Sequence, residues 1–216
     1  MRFPLHPQFR SGAGGCVIAR GDYILFALKM VKIGLTGGIG TGKTYLSAHF
    51  RDMGIPVYYA DEEAKKLYRQ PEFLTEMRRA FPDERLWLPD GTLDMDELAK
   101  SFADEHFLQQ LSRFVHPFVM RDFEQWAAQQ NAPAVMMESA ILFEYDLVSY
   151  FDKIIVADAS EALRIKRILA RNPHLTEADI RERMSRQMSQ EEKCSRADLV
   201  VCTGETYKEG LIIHNA

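Results

Sequence analysis

Eight consecutive residues form the strongest chemical pattern in the chain, Gly37-Gly38-Ile39-Gly40-Thr41-Gly42-Lys43-Thr44. They fit G-x-x-x-x-G-K-[ST] and lie between an apolar run and a segment with a helical pattern. Glycines allow successive backbone N–H groups to point at phosphate oxygens, and a helix N-terminus adds the positive end of its dipole. The pattern predicts a bound nucleoside triphosphate. A glycine-rich turn that only caps a helix would not require agreement at all eight positions.

Two side chains of this loop have specific predicted tasks. We expect Lys43 to reach the β- and γ-phosphates and Thr44 to offer its hydroxyl to Mg²⁺, which prefers few protein ligands and several phosphate and water oxygens. ATP and Mg²⁺ are therefore the expected cofactors. The residues assigned to nucleotide binding are Gly38, Ile39, Gly40, Thr41, Gly42, Lys43, Thr44 and Tyr45.

Asp61 ends the second strand-like run, eighteen residues after Lys43. In a parallel βαβ unit the ends of both strands lie on the same edge of the sheet, so Asp61 should face the γ-phosphate. A kinase needs an acceptor there that orients the substrate hydroxyl and takes its proton. The alternative is that Asp61 caps a helix beginning at Glu62, since Asp is a preferred N-cap residue. The two roles are compatible in one residue.

Two further groups have open interpretations. Glu138 follows the apolar run 134–137, where it could hold a Mg²⁺-bound water or cap the next segment, and both interpretations are equally supported. Seven basic residues lie between Arg164 and Arg186. Most of them should be solvated on helix faces, although one arginine closing over the nucleotide could grip two phosphoryl oxygens.

The rest of the chain narrows the class of nucleotide-binding protein. A guanine-specific switch typically carries N-K-x-D, but no asparagine here precedes a lysine. Motor and transport ATPases need more chain for their coupling elements, whereas about 190 residues after Met30 suit a small-molecule kinase. Two alternatives stay open: a kinase for a nucleoside, a nucleotide or another small molecule, and a non-catalytic module that senses nucleotides.

Composition limits the partners of this protein. The 216 residues carry a net charge of −4, so no general basic field would attract nucleic acid or an anionic membrane. The three cysteines are odd in number, which argues against a disulfide framework, and they lack the spacing of a zinc site. Free cysteines fit a reducing compartment, so a cytoplasmic location is expected. No apolar run approaches the length of a membrane span, and no obligate protein partner is indicated.

Strand and helix patterns alternate along the chain. Strands are predicted at 31–36, 55–60, 134–137, 153–157 and 199–202, and the intervening residues are mostly helical. These patterns predict an α/β fold, a P-loop kinase-type parallel sheet covered by helices on both faces, with ligands at the carboxyl edge of the strands.

The same patterns divide the chain into segments. Residues 30–67, 131–160 and 193–216 form the predicted nucleotide-binding core, and 68–130 form a helical insert in which Pro117 should separate two helices. Residues 1–29 are expected to be a non-native or disordered extension, because Met30 directly precedes the first strand and the earlier residues lack a packing pattern.

Several short motifs together resemble the dephospho-coenzyme A kinase family, from Met30 to about Val201. The likeness implies ATP-dependent phosphorylation of the ribose 3′-hydroxyl of dephospho-CoA, the last step in making coenzyme A. It also implies a helical coenzyme-binding subdomain at 68–130 and a lid at 161–192. The motifs that carry it are the run Gly34 to Thr44, Ala60-Asp61, His116-Pro117, Ile141-Leu142-Phe143-Glu144, Arg167, Arg171, Arg183-Met184-x-x-Gln187 and Ala197-Asp198.

This resemblance also implies roles for individual residues. Asp61 is the catalytic carboxylate and contacts the substrate, while Lys43 and Thr44 serve the phosphates and Mg²⁺. Arg171 is a catalytic lid arginine that offsets charge on the phosphoryl oxygens. His116 is placed near the dephospho-CoA site, although a lone histidine beside a proline is more often structural.

Overall fold

The computed structural model describes residues 30–204 and the backbone of residues 212–215. Six strands in these residues form a single sheet. They are β1 (Val31–Thr36), β2 (Val57–Tyr59), β3 (Ala134–Glu138), β4 (Lys153–Asp158), β5 (Leu199–Cys202) and β6 (Ile212–Asn215).

The strands lie in the order β2-β3-β1-β4-β5-β6. Strands β1 to β5 are parallel to one another, which confirms the predicted parallel α/β sheet. The sixth strand was not predicted, and it pairs antiparallel with β5 at the edge of the sheet. The chain leaves β1 towards β2 on one side and later enters β4 on the other, so the end of β1 is a switch point of the kind where α/β proteins bind ligands.

The helices connect these strands and mostly begin at residues suited to helix starts. Asp94, Asp104 and Thr176 each accept hydrogen bonds from backbone N–H groups in the first turn of their helices. The helices are α1 (Lys43–Asp52), α2 (Ala60–Leu67), α3 (Pro71–Ala80), α4 (Met95–Ser101), α5 (Glu105–Ala128), α6 (Glu161–Arg171), α7 (Glu177–Ser185) and α8 (Gln190–Ser195), and short 3-10 turns lie at Glu84–Leu86 and Leu147–Tyr150.

Gly34 allows β1 to lie close to its neighbours. A Cβ atom at this position would come within 2.8 Å of methyl groups of both Ile154 and Leu142. The following residues, Leu35 and Thr36, are fully buried. Close packing of β1 between β3 and β4 brings the loop that follows β1 between the ends of those two strands.

The helical residues 68–130 and the sheet share one hydrophobic core. Phe73 of α3 makes ring contacts with Phe114 and Phe118 of α5. At the other end of α5, Phe123 packs edge-on against Tyr58 of β2. All of these residues belong to a single apolar cluster, so the helices are held to the sheet by continuous packing. The boundaries 68 and 130 stay a prediction.

The prediction that Pro117 separates two helices is wrong. Pro117 lies inside α5, which runs without interruption over 24 residues. Proline removes one N–H donor from the helix ladder, at a cost that tertiary packing can offset. Here Val115 and Val119 on either side of it are buried against the core, and this packing holds the helix together.

Two other expectations concern location and the N-terminal residues. None of the helices in the part of the chain that the structure describes is long and apolar enough to cross a membrane. The predicted extension, residues 1–29, lies outside the described residues.

We expect Phe123→Ala to lower the free energy of unfolding by about 3–5 kcal/mol, because it removes a large side chain from the joint between α5 and the sheet. Phe123 is 0% exposed. Phe102→Ala is the matched control, since Phe102 is 40% exposed and its loss should cost much less. Urea unfolding of both variants measures the two losses of unfolding free energy. Equal losses would contradict a core shared by α5 and the sheet.

Candidate active site

The loop after β1 turns sharply before α1 begins. Gly40 and Gly42 have φ angles of 83° and 89°, in the left-handed region that side chains with a Cβ rarely adopt. Thr41 between them is fully buried, and its N–H and hydroxyl both donate to the carbonyl of Gly38. Helix α1 starts directly after this turn without a side-chain cap. A helix N-terminus without a side-chain cap suits an anion.

Lys43 points back over this loop. Its Nζ donates to the carbonyl oxygens of Gly37 at 2.7 Å and Gly38 at 3.2 Å. Burial lowers the pKa of Lys43 to about 8, while the carboxylates of Glu138 and Asp61 act in the opposite direction. The ammonium group thus lies near both carboxylates and still has too little countercharge to offset its desolvation. A phosphate would supply that countercharge.

Glu138 lies at the end of β3 and faces the first turn of α1. It accepts hydrogen bonds from the hydroxyls of Thr44 at 3.2 Å and Ser47 at 3.0 Å. Both carboxylate oxygens of Glu138 therefore contact α1. Burial is the largest cause that holds the pKa of Glu138 above its usual range. A nearby cation stabilises the charged form of such a carboxylate, which burial disfavours.

Asp61 lies at the carboxyl end of β2, exposed, in the first turn of α2. The interpretation of Asp61 as an N-cap is wrong, because α2 begins at Ala60 and Tyr59 occupies the cap position without a side-chain hydrogen bond. Its charge nevertheless raises the pKa of both Lys43 and Glu138. The Asp61 carboxylate therefore lies near the phosphate loop and does not cap α2.

Arg171 ends α6 beside the same loop. A cavity of about 300 Å³ separates them, lined on one side by Lys43, Thr44 and Tyr45 and on the other by Arg167 and Arg171. Arg171 is exposed at the cavity, so its guanidinium can reach a ligand there. Five of the eight predicted nucleotide residues, Gly40, Gly42, Lys43, Thr44 and Tyr45, thus line one cavity with the predicted lid arginine.

Arg167 has a different position from Arg171. Its guanidinium donates to the carbonyls of Gly40 and Thr41 in the loop, and to Thr203 and Gly204 after β5. The hydroxyl of Thr203, which is only 3% exposed, donates to the Thr41 carbonyl at 2.6 Å. Together these contacts tie the phosphate loop to the end of β5.

His116 lies on α5 and is not among the groups around Lys43. Its ring packs edge-on against Tyr145, with centroids 4.2 Å apart. Burial lowers the pKa of His116 to about 4, so the imidazole is neutral at pH 7. Tyr145 also lines a separate cavity of about 280 Å³ with Phe102 and Arg186, between the helical residues and the segment after α7.

Sequence reasoning missed several residues of this site. Ser47 and Thr203 are single hydroxyls whose partners lie 91 and 162 residues away, and nothing in their local pattern indicates those partners. Lys193 is fully buried and paired with Glu144 at 2.6 Å, although a lysine in a charged helix normally indicates a solvated face.

Comparison with known proteins gives a consistent result. Residues 31–209 match the family model described as dephospho-CoA kinase. A dephospho-CoA kinase of Deinococcus radiodurans is 39% identical over 174 residues, which cover 79% of this chain and 82% of that protein. The crystal structure of TT1252 from Thermus thermophilus has a TM-score of 0.71 at 31% identity, covering 83% of this chain and 92% of that one. A dephospho-CoA kinase from Campylobacter jejuni has the same fold, with a TM-score of 0.54 at 22% identity over 82% of this chain and 90% of that one.

The pKa of Lys43 generates a pH prediction. Bound phosphate raises this pKa, so ATP binding should take up a proton above pH 8 and weaken as the free lysine loses its charge. Between pH 7 and pH 9 the protonated fraction falls about tenfold, and the affinity for ATP should fall by a similar factor.

Isothermal calorimetry across this pH range, in buffers of different ionisation enthalpy, measures both effects. Lys43→Ala is the control: it should bind ATP weakly at every pH, with little change between pH 7 and pH 9, and should lose turnover. A wild-type affinity that is flat over this range would contradict the assignment.

Proposed function

Because the chain belongs to the dephospho-CoA kinase family, we propose that it transfers the γ-phosphate of ATP to the ribose 3′-hydroxyl of dephospho-CoA. The products are ADP and coenzyme A, so this is the final step of coenzyme A synthesis. One observation supports the chemistry most directly: Lys43, Glu138 and Asp61 follow three different strands, yet both carboxylates lie close enough to Lys43 to raise its pKa, and Asp61 also raises the pKa of Glu138. Phosphoryl transfer needs a cation, a metal-holding carboxylate and a proton acceptor in one place.

The phosphate loop binds the triphosphate. Backbone N–H groups of the turn that follows Ile39 and of the first turn of α1 face its oxygens, and Lys43 exchanges the carbonyls of Gly37 and Gly38 for the β- and γ-phosphates. This exchange keeps the ammonium group hydrogen-bonded in both states. The ammonium charge is therefore already at the loop before ATP binds, and a charge placed in advance is the main requirement for electrostatic stabilisation.

Thr44 and Glu138 fit a Mg²⁺ ion. They present a hydroxyl and a carboxylate that already contact each other, and oxygen donors of this kind are what Mg²⁺ prefers. Thr44 would be the direct ligand, and Glu138 would hold a water of the ion. When bound, Mg²⁺ neutralises charge on the β- and γ-phosphates.

Asp61 takes the proton of the 3′-hydroxyl. In the reaction the hydroxyl oxygen forms a bond to the γ-phosphorus, the bond to the bridging oxygen of ADP breaks, and the proton passes to the carboxylate. The exposure of Asp61 at the edge of the sheet leaves room for a substrate. Since the nucleophile is little deprotonated in a loose transition state, Asp61 mainly orients the hydroxyl.

Arg171 and His116 have the two remaining proposed roles, one at the nucleotide and one at the acceptor substrate. Arg171 offsets charge on the transferring phosphoryl group from across the nucleotide cavity, as part of a lid at 161–192. His116 contacts the bound dephospho-CoA from the helical segment 68–130. Its imidazole is neutral, so it serves as a binding group and neither an acid nor a base.

The two alternatives differ from this proposal in testable ways. Another small-molecule kinase would share Lys43 and Asp61 but phosphorylate a different acceptor, and a nucleotide sensor would transfer no phosphate. Assays with dephospho-CoA, nucleosides, nucleotides and shikimate as acceptors separate them. The cysteine pattern supports the cytoplasm as the proposed location.

Asp61→Asn should lower kcat by roughly a hundred- to ten-thousand-fold while both substrates still bind within a few-fold of the wild type. The amide has nearly the same shape as the carboxylate but cannot take a proton. Steady-state kinetics and calorimetric titration with each substrate separate the two effects. Glu62→Gln, at the next exposed position of α2, is the matched control and should be near normal. Full kcat in Asp61→Asn, or failure to bind dephospho-CoA, would contradict the proposed role.

Glu138→Gln should raise the Mg²⁺ concentration needed for half-maximal activity by about ten- to a hundredfold, because residues that hold metal-bound water contribute about this much to metal affinity. The comparison uses Mg²⁺ titrations at saturating ATP, together with calorimetric binding of ATP with and without Mg²⁺. Glu72→Gln, exposed in the first turn of α3, is the control and should not move the titration. An unchanged Mg²⁺ requirement in Glu138→Gln would remove Glu138 from the metal site.

A further inference from the structure

The first half of the phosphate loop is held from outside by distant side chains. The N–H of Gly38 donates to Oε1 of Gln190, and the N–H of Ile39 donates to Oε1 of Gln187, both at 2.9 Å. On the other side of the same backbone, Nε of Arg164 donates to the carbonyl of Ile39 at 2.9 Å. Two successive N–H groups and one carbonyl of the loop therefore form hydrogen bonds with side chains that follow β4 in the sequence.

Gln190 is fixed at both ends of its amide. Its Nε2 donates to the carbonyl of Ala157, near the end of β4, at 2.9 Å, and lies 3.7 Å from Sγ of Cys194. One side-chain amide thus bridges the loop and the sheet, as a backbone peptide does between two strands. Gln187 lies between α7 and α8, so it connects the loop to the end of α7.

Gly38 fits this arrangement because it has no side chain. A Cβ atom at position 38 would lie 2.4 Å from Nη2 of Arg164 and 3.1 Å from Oε1 of Gln190. Arg164 is only 8% exposed, so it has little freedom to move aside. The side chain of Ile39 also packs against the small apolar cluster of Ile165, Ile168 and Ile180.

We propose that Gln187 and Gln190 are positioning residues for the nucleotide: they hold the Gly38–Ile39 backbone so that the following turn presents its N–H groups to phosphate. The contrast within the loop supports this. Residues 38 and 39 are held by side chains, whereas α1 begins without a side-chain cap and keeps its first turn open to an anion. The inference rests on the proposed function, since it concerns the nucleotide site of that reaction.

The energetic reason is pre-organisation. A glycine-rich loop without these two partners samples many backbone conformations, and binding then has to order it. The cost of ordering the loop lowers the affinity for ATP. It does not lower the affinity for the acceptor substrate, because the acceptor binds at Asp61 and the helical segment. Gln190 should matter more than Gln187, because it is anchored to β4 as well.

Gln187→Met and Gln190→Met test this, since methionine has a similar length and no amide. Calorimetry with a non-hydrolysable ATP analogue should show a Kd raised about three- to tenfold in each variant, as expected for the loss of one such hydrogen bond. The Kd for dephospho-CoA should stay within twofold and the melting temperature within a few degrees. Gln125→Met, exposed on α5, is the matched control and should bind the analogue normally.

Two results would overturn the inference: wild-type affinity for the analogue in both folded variants, or equal losses of affinity for the analogue and for dephospho-CoA, which indicate general loosening. If Gln190→Met does not fold, Gln187→Met and Gly38→Ala provide the same comparison, because an added Cβ displaces the same contacts. A wild-type chain that binds the analogue but does not phosphorylate dephospho-CoA would contradict the proposed function alone, and the comparison of nucleotide affinity would still stand.

Discussion

The backbone between β1 and α1 has to turn so that several N–H groups face one anion, and the rest of the site is built around that requirement. Two left-handed glycines, Gly40 and Gly42, make the turn possible. Such a turn has few contacts of its own, so the protein supplies them from elsewhere: Arg167 from α6, Thr203 after β5, and glutamine side chains near α8. The position of β1 between β3 and β4 brings these partners within reach.

Charge balance is the second constraint on the site. Burial shifts the pKa of Lys43 downwards and that of Glu138 upwards, so each group is held away from its ordinary value by the same desolvation. A second buried lysine has a different environment: Nζ of the fully buried Lys193 contacts Glu144 at 2.6 Å and the carbonyl of Ala140 at 2.7 Å. Burial lowers the pKa of Lys193 as well, but Lys193 has a carboxylate in direct contact, whereas the described contacts of Nζ of Lys43 are the carbonyls of Gly37 and Gly38. This difference separates a structural ion pair from a binding site.

The two segments that flank the site are attached by different forces. The helices of residues 68–130 share an apolar core with the sheet, through residues such as Phe73 and Phe123. Residues 161–192 contact the phosphate loop through a small apolar cluster, against which Ile39 packs, and through hydrogen bonds. Hydrogen bonds contribute less than apolar burial and are exchanged more easily with water. The physical attachment is therefore looser on the nucleotide side, which suits a segment proposed as a lid.

The sequence by itself determined the phosphate loop, the five parallel strands and the position of Asp61 at a strand end, because each depends on a local pattern of a few neighbouring residues. A phosphate site made of backbone N–H groups needs only glycines at certain spacings, and eight consecutive residues of the sequence show these spacings. The tertiary structure alone decided the continuity of α5 through Pro117, since packing against the core offsets the missing hydrogen bond. It also decided the partners of Ser47, Thr203 and Gln190, which lie 91 to 162 residues away. Polar contacts at such separations exist only once the order of the strands has brought their ends together.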